Sequence, residues 1–424
     1  MNTDPAVRDQ IRRARGNFVA MAATYSLGVF NDNFFRQAIL LLAAGAGLQR
    51  IQGYATIIFA APFIVFAAYA GWLADEHSKR NVTIGSKALE LAAMICGALG
   101  IWLGSVPLML VMLGIMATQA TIFNPALNGS IPELYPESYV ITANAILKVA
   151  VTASILMGIA VSGVVLDLDK KFAPVWGVPA GRFAIGAGVI LISLLGLITS
   201  LGVPHRPAAA PGKPFPWAGP WRTIKDLYEL RKDFLLGLVI FLNLYIWFVG
   251  TLLTLVVNAL GVNEHKWSNT RTSLMLVAEL SGIAVGGLIA SRIAKGTRWY
   301  KVLAPAGVAM SLFLLMVPFA SRLSPAGALP WYLVMFAGVG IAGGIIVIPC
   351  EAFIQIRPRH EEKGTIIAAS NCAAFIGILL AGPMANLLLD ALEMAPSRTF
   401  FVTGGLSLAV SLLTWALLAW KEPA

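Results

Sequence analysis

Long apolar runs separated by short polar breaks fill this chain from about residue 17 to residue 420. One run of roughly 20 apolar residues crosses the hydrocarbon core of a bilayer. By that measure the pattern predicts twelve spans, at about 17–46, 51–74, 82–104, 106–126, 139–166, 182–203, 233–259, 271–291, 300–320, 330–350, 364–390 and 399–420. The longest predict tilted or kinked helices. The expected fold class is an all-α membrane protein. Gly282 with Gly286, and Gly340 with Gly344, carry the four-residue spacing of small residues that lets membrane helices approach closely.

One polar break is longer than the rest. Pro204 to Trp217 is too rich in proline for a helix. Thr223 to Asp233 is charged and predicts a short interfacial, amphipathic helix. The expected organisation is a first six-helix bundle over 1–203, a cytoplasmic central linker over 204–232, and a second six-helix bundle over 233–424. Two repeated bundles suit that layout. A faint internal repeat supports them. Pro125 to Glu133, Thr142-Ala-Asn-Ala145, Gly158, Gly163 and Asp167 follow the fourth span. Pro349 to Phe353, Ala369-Ser-Asn-Cys372, Gly377, Gly382 and Asp390 follow the tenth in the same order.

Composition sharpens this picture. Of 424 residues 58% are hydrophobic and 12% charged, with a mean hydropathy of +0.77. A soluble domain carries about 25% charged residues. The first residues, Met1 to Arg15, are polar and basic, so no signal peptide is expected. The net charge of +10 is divided among loops and does not point to nucleic acid. Twenty Lys and Arg fall on the side of the N-terminus and eight on the other. That excess predicts both termini in the cytoplasm. Cys96, Cys350 and Cys372 lie in spans without metal-like spacing and read as packing residues.

Three basic residues, Arg36, Lys87 and Lys148, lie inside spans. The first span also carries Asp32, four residues before Arg36, so the two can pair on one helical face. A charge at that depth costs at least about 2.5–3.5 kcal/mol and persists mainly in a protein interior or a water-filled pathway. Asp32 and Asn33 are the leading candidates for a substrate pathway. Arg36 is either the partner of Asp32 or a ligand for an anion. Lys148 lies nearly three turns inside the fifth span and either lines the pathway or snorkels. Glu279, in the eighth span, has no partner close in sequence and needs one in space, or a proton. Lys87 and Glu90 read as a local surface pair near the cytoplasmic end of the third span. Gln119, and Asn243 with Tyr245 and Trp247, either line a cavity or join helices. His77, His205, His265 and His360 all fall in loops, against a histidine proton relay. There is no glycine-rich phosphate loop with Lys-Ser/Thr, no His-Glu-x-x-His and no Gly-x-Ser-x-Gly. Neither an enzyme nor a cofactor is expected.

The loop after the second span reads Gly71-Trp-Leu-Ala-Asp75-Glu-His-Ser-Lys79-Arg80. It resembles the signature loop of the major facilitator superfamily, with Ser78 where that pattern has Gly. The corresponding place in the second half, Gly287 to Arg292, keeps the Gly and the positive charge but lacks the Asp. The resemblance implies that Gly71, Asp75, Lys79 and Arg80 belong to a cytoplasmic latch. Glu133 and Glu351, at corresponding cytoplasmic ends, are expected to cap or latch helices, Glu351 with Arg357 or Arg359.

Phe30-Asn-Asp-Asn33, Phe123 to Leu134 and Ala143-Asn144 narrow the resemblance. Together they are similar to the bacterial lysophospholipid transporters. That resemblance implies an inner-membrane, alternating-access transporter or flippase for lysophosphatidylethanolamine-like lipids. It also implies a cytoplasmic acyltransferase or acyl-ACP synthetase as partner, and a monomer is the expectation. Two positions depart from it. Pro125-Ala-Leu-Asn-Gly129 stands where those relatives typically have Pro-Ala-Lys-Tyr-Gly. The seventh span has Gly250-Thr-Leu-Leu-Thr254 where they tend to carry an Arg. Arg36 and Lys148 are the candidates to replace the two lost cations. The rival reading is a proton-coupled exporter of amphipathic small molecules, with Asp32 or Glu279 as the proton site.

Overall fold

The computed structural model of the chain describes residues 5–420, apart from 136, 209, 213, 222–224, 226–232, 297, 323–324 and 358–362. Among the described residues it is built from helices, with a single isolated bridge between Val175 and Val178. The helices are α1 (Pro5–Gly45), α2 (Gln49–Val65), α3 (Ala67–Glu76), α4 (Lys79–Leu103), α5 (Val106–Leu134), α6 (Glu137–Leu166) and α7 (Ala180–Ser200). There follow α8 (Phe234–Ala259), α9 (Asn269–Ile293), α10 (Leu303–Met316), α11 (Pro325–Ile356), α12 (Lys363–Asn386) and α13 (Pro396–Trp420). Ten helices among the described residues are long and apolar enough to cross a membrane, or eleven if α2 and α3 count as one. Large apolar side chains such as Val149, Leu288 and Leu413 remain exposed on them, which suits a surface that meets lipid.

The second predicted span is one run in sequence but two helices in space. Pro62 lies inside α2, and the chain breaks at Phe66 with a bend of 49° into α3. Proline withholds a backbone donor and crowds the turn before it, whereas this break lies one turn after it, where the Phe66 N–H still donates to the Pro62 carbonyl at 2.8 Å.

The chain forms two compact units, Met1–Ile39 with Ala61–Pro220, and Leu40–Ala60 with Trp221–Ala424. In the first, α4 packs on α5 and α7, and α3 lies against α5. Gly158 of α6 sits on α1, where a Cβ would lie 2.7 Å from the Phe30 carbonyl oxygen and 3.1 Å from Asn33 Cβ. In the second unit, α9 packs along α11, and α12 along α8. Gly377 of α12 meets the Leu244 carbonyl of α8 as Gly158 meets that of Phe30, so each unit uses the same kind of close approach. The two small-residue spacings face one another. A Cβ at Gly282 or Gly286 of α9 would fall on the carbonyls of Ala337 or Ile341, and one at Gly340 or Gly344 of α11 on those of Glu279 or Ile283.

The proline-rich break carries no helix among its described residues from Leu201 to Trp217, as its composition predicts. The interfacial helix expected at Thr223 to Asp233 falls almost wholly outside the described residues. What the sequence did not reveal is that the break straps α3. Phe215 stacks on Tyr69, with centroids 5.2 Å apart, and meets Trp72 edge-on at 5.1 Å. Trp217 closes on Phe215 at 4.7 Å, and the Ala210 N–H donates to the Asp75 carbonyl at 2.9 Å. Each aromatic pair contributes about 1 kcal/mol. Phe215→Ala should therefore release the strap, and trypsin cleavage after the exposed Arg206 should quicken roughly tenfold.

Candidate functional site

Three polar residues from three of the first unit's helices gather around one buried carboxylate. Lys87 and Glu90, one turn apart on α4, are each 1% exposed, and Lys87 Nζ donates to Glu90 Oε2 at 2.6 Å. The expected surface pair is therefore a core pair. The third span turns this face inward because α1, α5 and α7 all pack on it there. Gln119 Nε2 of α5 donates to the same Oε2 at 3.3 Å. Asn31 Nδ2 of α1 donates to Glu90 Oε1 at 3.3 Å and to the Val189 carbonyl of α7 at 3.3 Å.

The ammonium of Lys87 threads between two glycines. A Cβ at Gly28 of α1 would land on Nζ, and one at Gly196 of α7 would lie 3.7 Å from Cδ. Above it lies the ring of Phe123, 4.6 Å from Nζ. Salt bridge, amide donors and aromatic face together satisfy two charges that would be costly to bury alone.

Asp32 stands at the edge of this cluster, half-buried, with Oδ1 enclosed and without a hydrogen-bond partner. Glu90 and Lys87 of α4 lie within electrostatic reach of it. Asn33 is half-buried, with its Nδ2 donating to the Val29 carbonyl at 2.8 Å, and Arg36 is half-buried too. Lys148 is exposed on α6. Leu127, at the position where a lysine would match the resemblance, is 1% exposed among Phe18, Met21, Phe123 and Leu147.

In the second unit Glu279 of α9 is 5% exposed, with no ion pair or hydrogen bond from its carboxylate among the described residues. It faces Gly250 of α8, where a Cβ would lie 3.8 Å from Oε1. Asn243 is buried, and its Nδ2 donates to Ser370 Oγ of α12 at 3.3 Å. Tyr245 shares a 2.7 Å hydrogen bond with Ser407 of α13. Both residues join helices, while Trp247 is exposed. His265 follows α8, pairing with the Tyr332 hydroxyl at 2.9 Å. Burial holds its imidazole below the usual 6.5, against the pull of Glu264. His77 and His205 lie in loops as expected, and His360 lies outside the described residues.

Residues 16–382 match the family model of the Major Facilitator Superfamily. The chain belongs to that superfamily. It is 26% identical over 372 residues to the lysophospholipid transporter LplT of Escherichia coli (strain K12 / DH10B), covering 85% of this chain and 86% of that protein. The LplT of Shigella sonnei gives the same identity and coverage. Among solved structures, a proton-dependent oligopeptide transporter superposes with a TM-score of 0.72 at 14% identity, over 96% of this chain and 98% of that one. A D-xylose–proton symporter does so with 0.70 at 12%, over 94% and 97%. At such identities the two structures share the fold with this chain. The superfamily and these relatives are transporters.

The superfamily's loop residues take these places. Gly71 of α3 is half-buried with open space at its Cα, and Asp75 lends its carbonyl to the strap. Lys79 opens α4, and Arg80 donates from Nη2 to the Leu201 carbonyl at 3.2 Å. Arg357 is engaged with Asp233, the N-cap of α8, at 3.0 Å, and not with Glu351 as expected. An N-capping carboxylate competes well for a guanidinium, because it is fixed in place by its own bond to Leu236 N–H. Glu351 is half-buried on α11. The Glu133 side chain and Arg359 lie outside the described residues.

The cluster around Glu90 is what sequence reasoning missed. Its signal was present: Lys87, Glu90, Asn31 and Gln119 are polar residues spread over three of the predicted spans. Helical phase alone does not say that they share one interior.

Proposed function

We propose that the chain is a transporter, or flippase, of lysophospholipids of the lysophosphatidylethanolamine type, crossing a bacterial inner membrane. Twelve spans in two six-helix halves work by alternating access, with both termini cytoplasmic, and the polar headgroup meets Asp32, Asn33 and Arg36. Lys148, Gln119, Asn243 and Glu279 are the further polar positions of this reading, Gln119 acting through Glu90. Gly71, Asp75, Lys79, Arg80, Glu133, Glu351, Arg357 and Arg359 serve the cytoplasmic gate. A cytoplasmic acyltransferase or acyl-ACP synthetase would consume the lipid, and the working unit is a monomer.

The observation that carries this reading is the similarity to proteins named lysophospholipid transporters over 85% of the chain. The half-buried carboxyl of Asp32 supports it, since an ionisable group in a membrane helix marks a pathway by default. The test is movement of labelled lysophosphatidylethanolamine across proteoliposomes without an imposed gradient. The wild type should flip it well above protein-free vesicles, and Asp32→Asn should lose that excess. Equal rates with and without protein would refute the reading. The buried Glu279, which has no ion pair among the described residues, favours a second one, a proton-coupled exporter of amphipathic small molecules. In that case Glu279→Gln would uncouple transport from a pH gradient.

A further inference from the structure

The turn that joins α6 to α7 holds a tryptophan in a strained backbone conformation. Val175 and Val178 exchange both N–H···O bonds, at 2.8 and 2.9 Å, across a two-residue turn. Its central residues, Trp176 and Gly177, have φ of 50° and 79°. Positive φ at both is the type I′ geometry, which favours Asn, Asp or Gly. Gly177 obeys that preference. Trp176 does not, and the left-handed conformation crowds the side chain of a bulky L-residue. Burial within the protein does not offset the strain, since Trp176 is 90% exposed.

The hairpin is fixed at its base and set at a particular level. Asp169 Oδ1 accepts from the N–H groups of Gly181 at 2.6 Å and Arg182 at 3.3 Å, which ties the loop to the start of α7. The hairpin then folds back along that helix. The Trp176 ring meets Phe183, in the first turn of α7, edge-on at 5.5 Å, and Phe183 stacks on Trp102 of α4 at 5.4 Å. The apolar spans on either side run from Ile146 to Lys170 and from Ala180 to Ser200. Trp176 therefore lies level with the end of a span and does not project beyond it. Phe172 and Leu103, at the same end, are 63% and 75% exposed, and Lys171 is exposed beside Phe172. An indole has an apolar body and one N–H donor, which suits the boundary between hydrocarbon and headgroups. A lysine at that level can reach a phosphate.

We propose that the Trp176 hairpin is an anchor of the first unit in the headgroup region of the bilayer, with glycerophospholipid as its partner. Asp169 holds the base, and the left-handed turn leaves the indole open to lipid. Interfacial Trp and Lys help to set the tilt and depth of membrane helices, so the anchor fixes the level at which α6 and α7 leave the bilayer. The inference is independent of the lysophospholipid reading and needs only that the chain crosses a membrane.

The experiment compares the tryptophan fluorescence of the full-length wild type and Trp176→Phe in liposomes of phosphatidylcholine and phosphatidylglycerol. The difference isolates one indole among eleven. Its emission should be blue-shifted from that of tryptophan in water. Lipids brominated near the glycerol should quench it at least about twofold more than aqueous acrylamide does, and more than lipids brominated at the chain end. A difference emission at the position for water, quenched by acrylamide and untouched by brominated lipid, would place the indole in solvent, where only a soluble partner can use it. That result would overturn the proposal. So would strongest quenching by chain-end bromine, which puts the ring in the hydrocarbon core. Protection from every quencher would also overturn it, because the ring would then be covered by protein, such as a second copy of the chain.

Discussion

Gly340→Ala is expected to cripple folding, whereas Gly343→Ala, the same change three residues along α11, is expected to leave the protein intact. The new methyl at 340 would fall on the Glu279 carbonyl of α9, and backbone cannot rotate aside as a side chain can. Helices α9 and α11 must therefore part along a seam that also holds Gly282, Gly286 and Gly344. Overpacking costs about 1–3 kcal/mol at ordinary core sites and more where the obstacle is rigid. Helix pairs in lipid depend on close packing for their association, so a parted seam has little to replace it. At Gly343 the added carbon meets nothing within 4 Å. There the gain in helix propensity, about 1 kcal/mol, is uncompensated by any clash. Thermal melting of the two detergent-solubilised variants, followed by size-exclusion fluorescence, checks the contrast. Equal melting would mean that the α9–α11 seam does not govern stability.

Lys87→Met should be nearly as damaging, and for an electrostatic reason. It leaves Glu90, 1% exposed, without its counter-ion, and breaking a buried pair in this way costs about 3–5 kcal/mol. Removing both charges together in Lys87→Met/Glu90→Gln should recover most of that loss, because a neutral amide and a thioether leave no buried charge. Glu90→Gln alone should cost less than Lys87→Met, since Asp32 stands within electrostatic reach of the freed ammonium. The four melting temperatures form a double-mutant cycle. Additive losses would show that the two residues act independently and that the 2.6 Å contact carries little energy.

Helices stand at the predicted positions, but among the described residues ten of them, or eleven with α2 and α3 as one, are long and apolar enough to cross a membrane, and α1 with its Asn31-Asp-Asn33 and Arg36 is not among those. The bend after α2 was not legible as such: it falls at Phe66, a full turn beyond Pro62, within one apolar run. The small-residue spacings at Gly282 and Gly340 were visible as spacings. That each serves as the other's partner was not, since four-residue spacing names a face of a helix and never the helix it meets. Asp32 stood out because charge in an apolar run is conspicuous, while its electrostatic partners lie 55 and 58 residues away on another helix.

By itself, then, the sequence determined the class of the protein, the approximate place of each helix, the proline-rich break and the superfamily loop. All of these are local properties, set by hydrophobic length, by proline chemistry and by short motifs. Only the tertiary structure decided which polar residues share an interior. It moved Lys87 and Glu90 from an imagined surface into the core of four helices. It gave Arg357 to Asp233 and folded the linker onto α3. Those outcomes depend on which helices pack together, and in a chain whose spans are apolar nearly all round, hydrophobic periodicity carries little record of that choice.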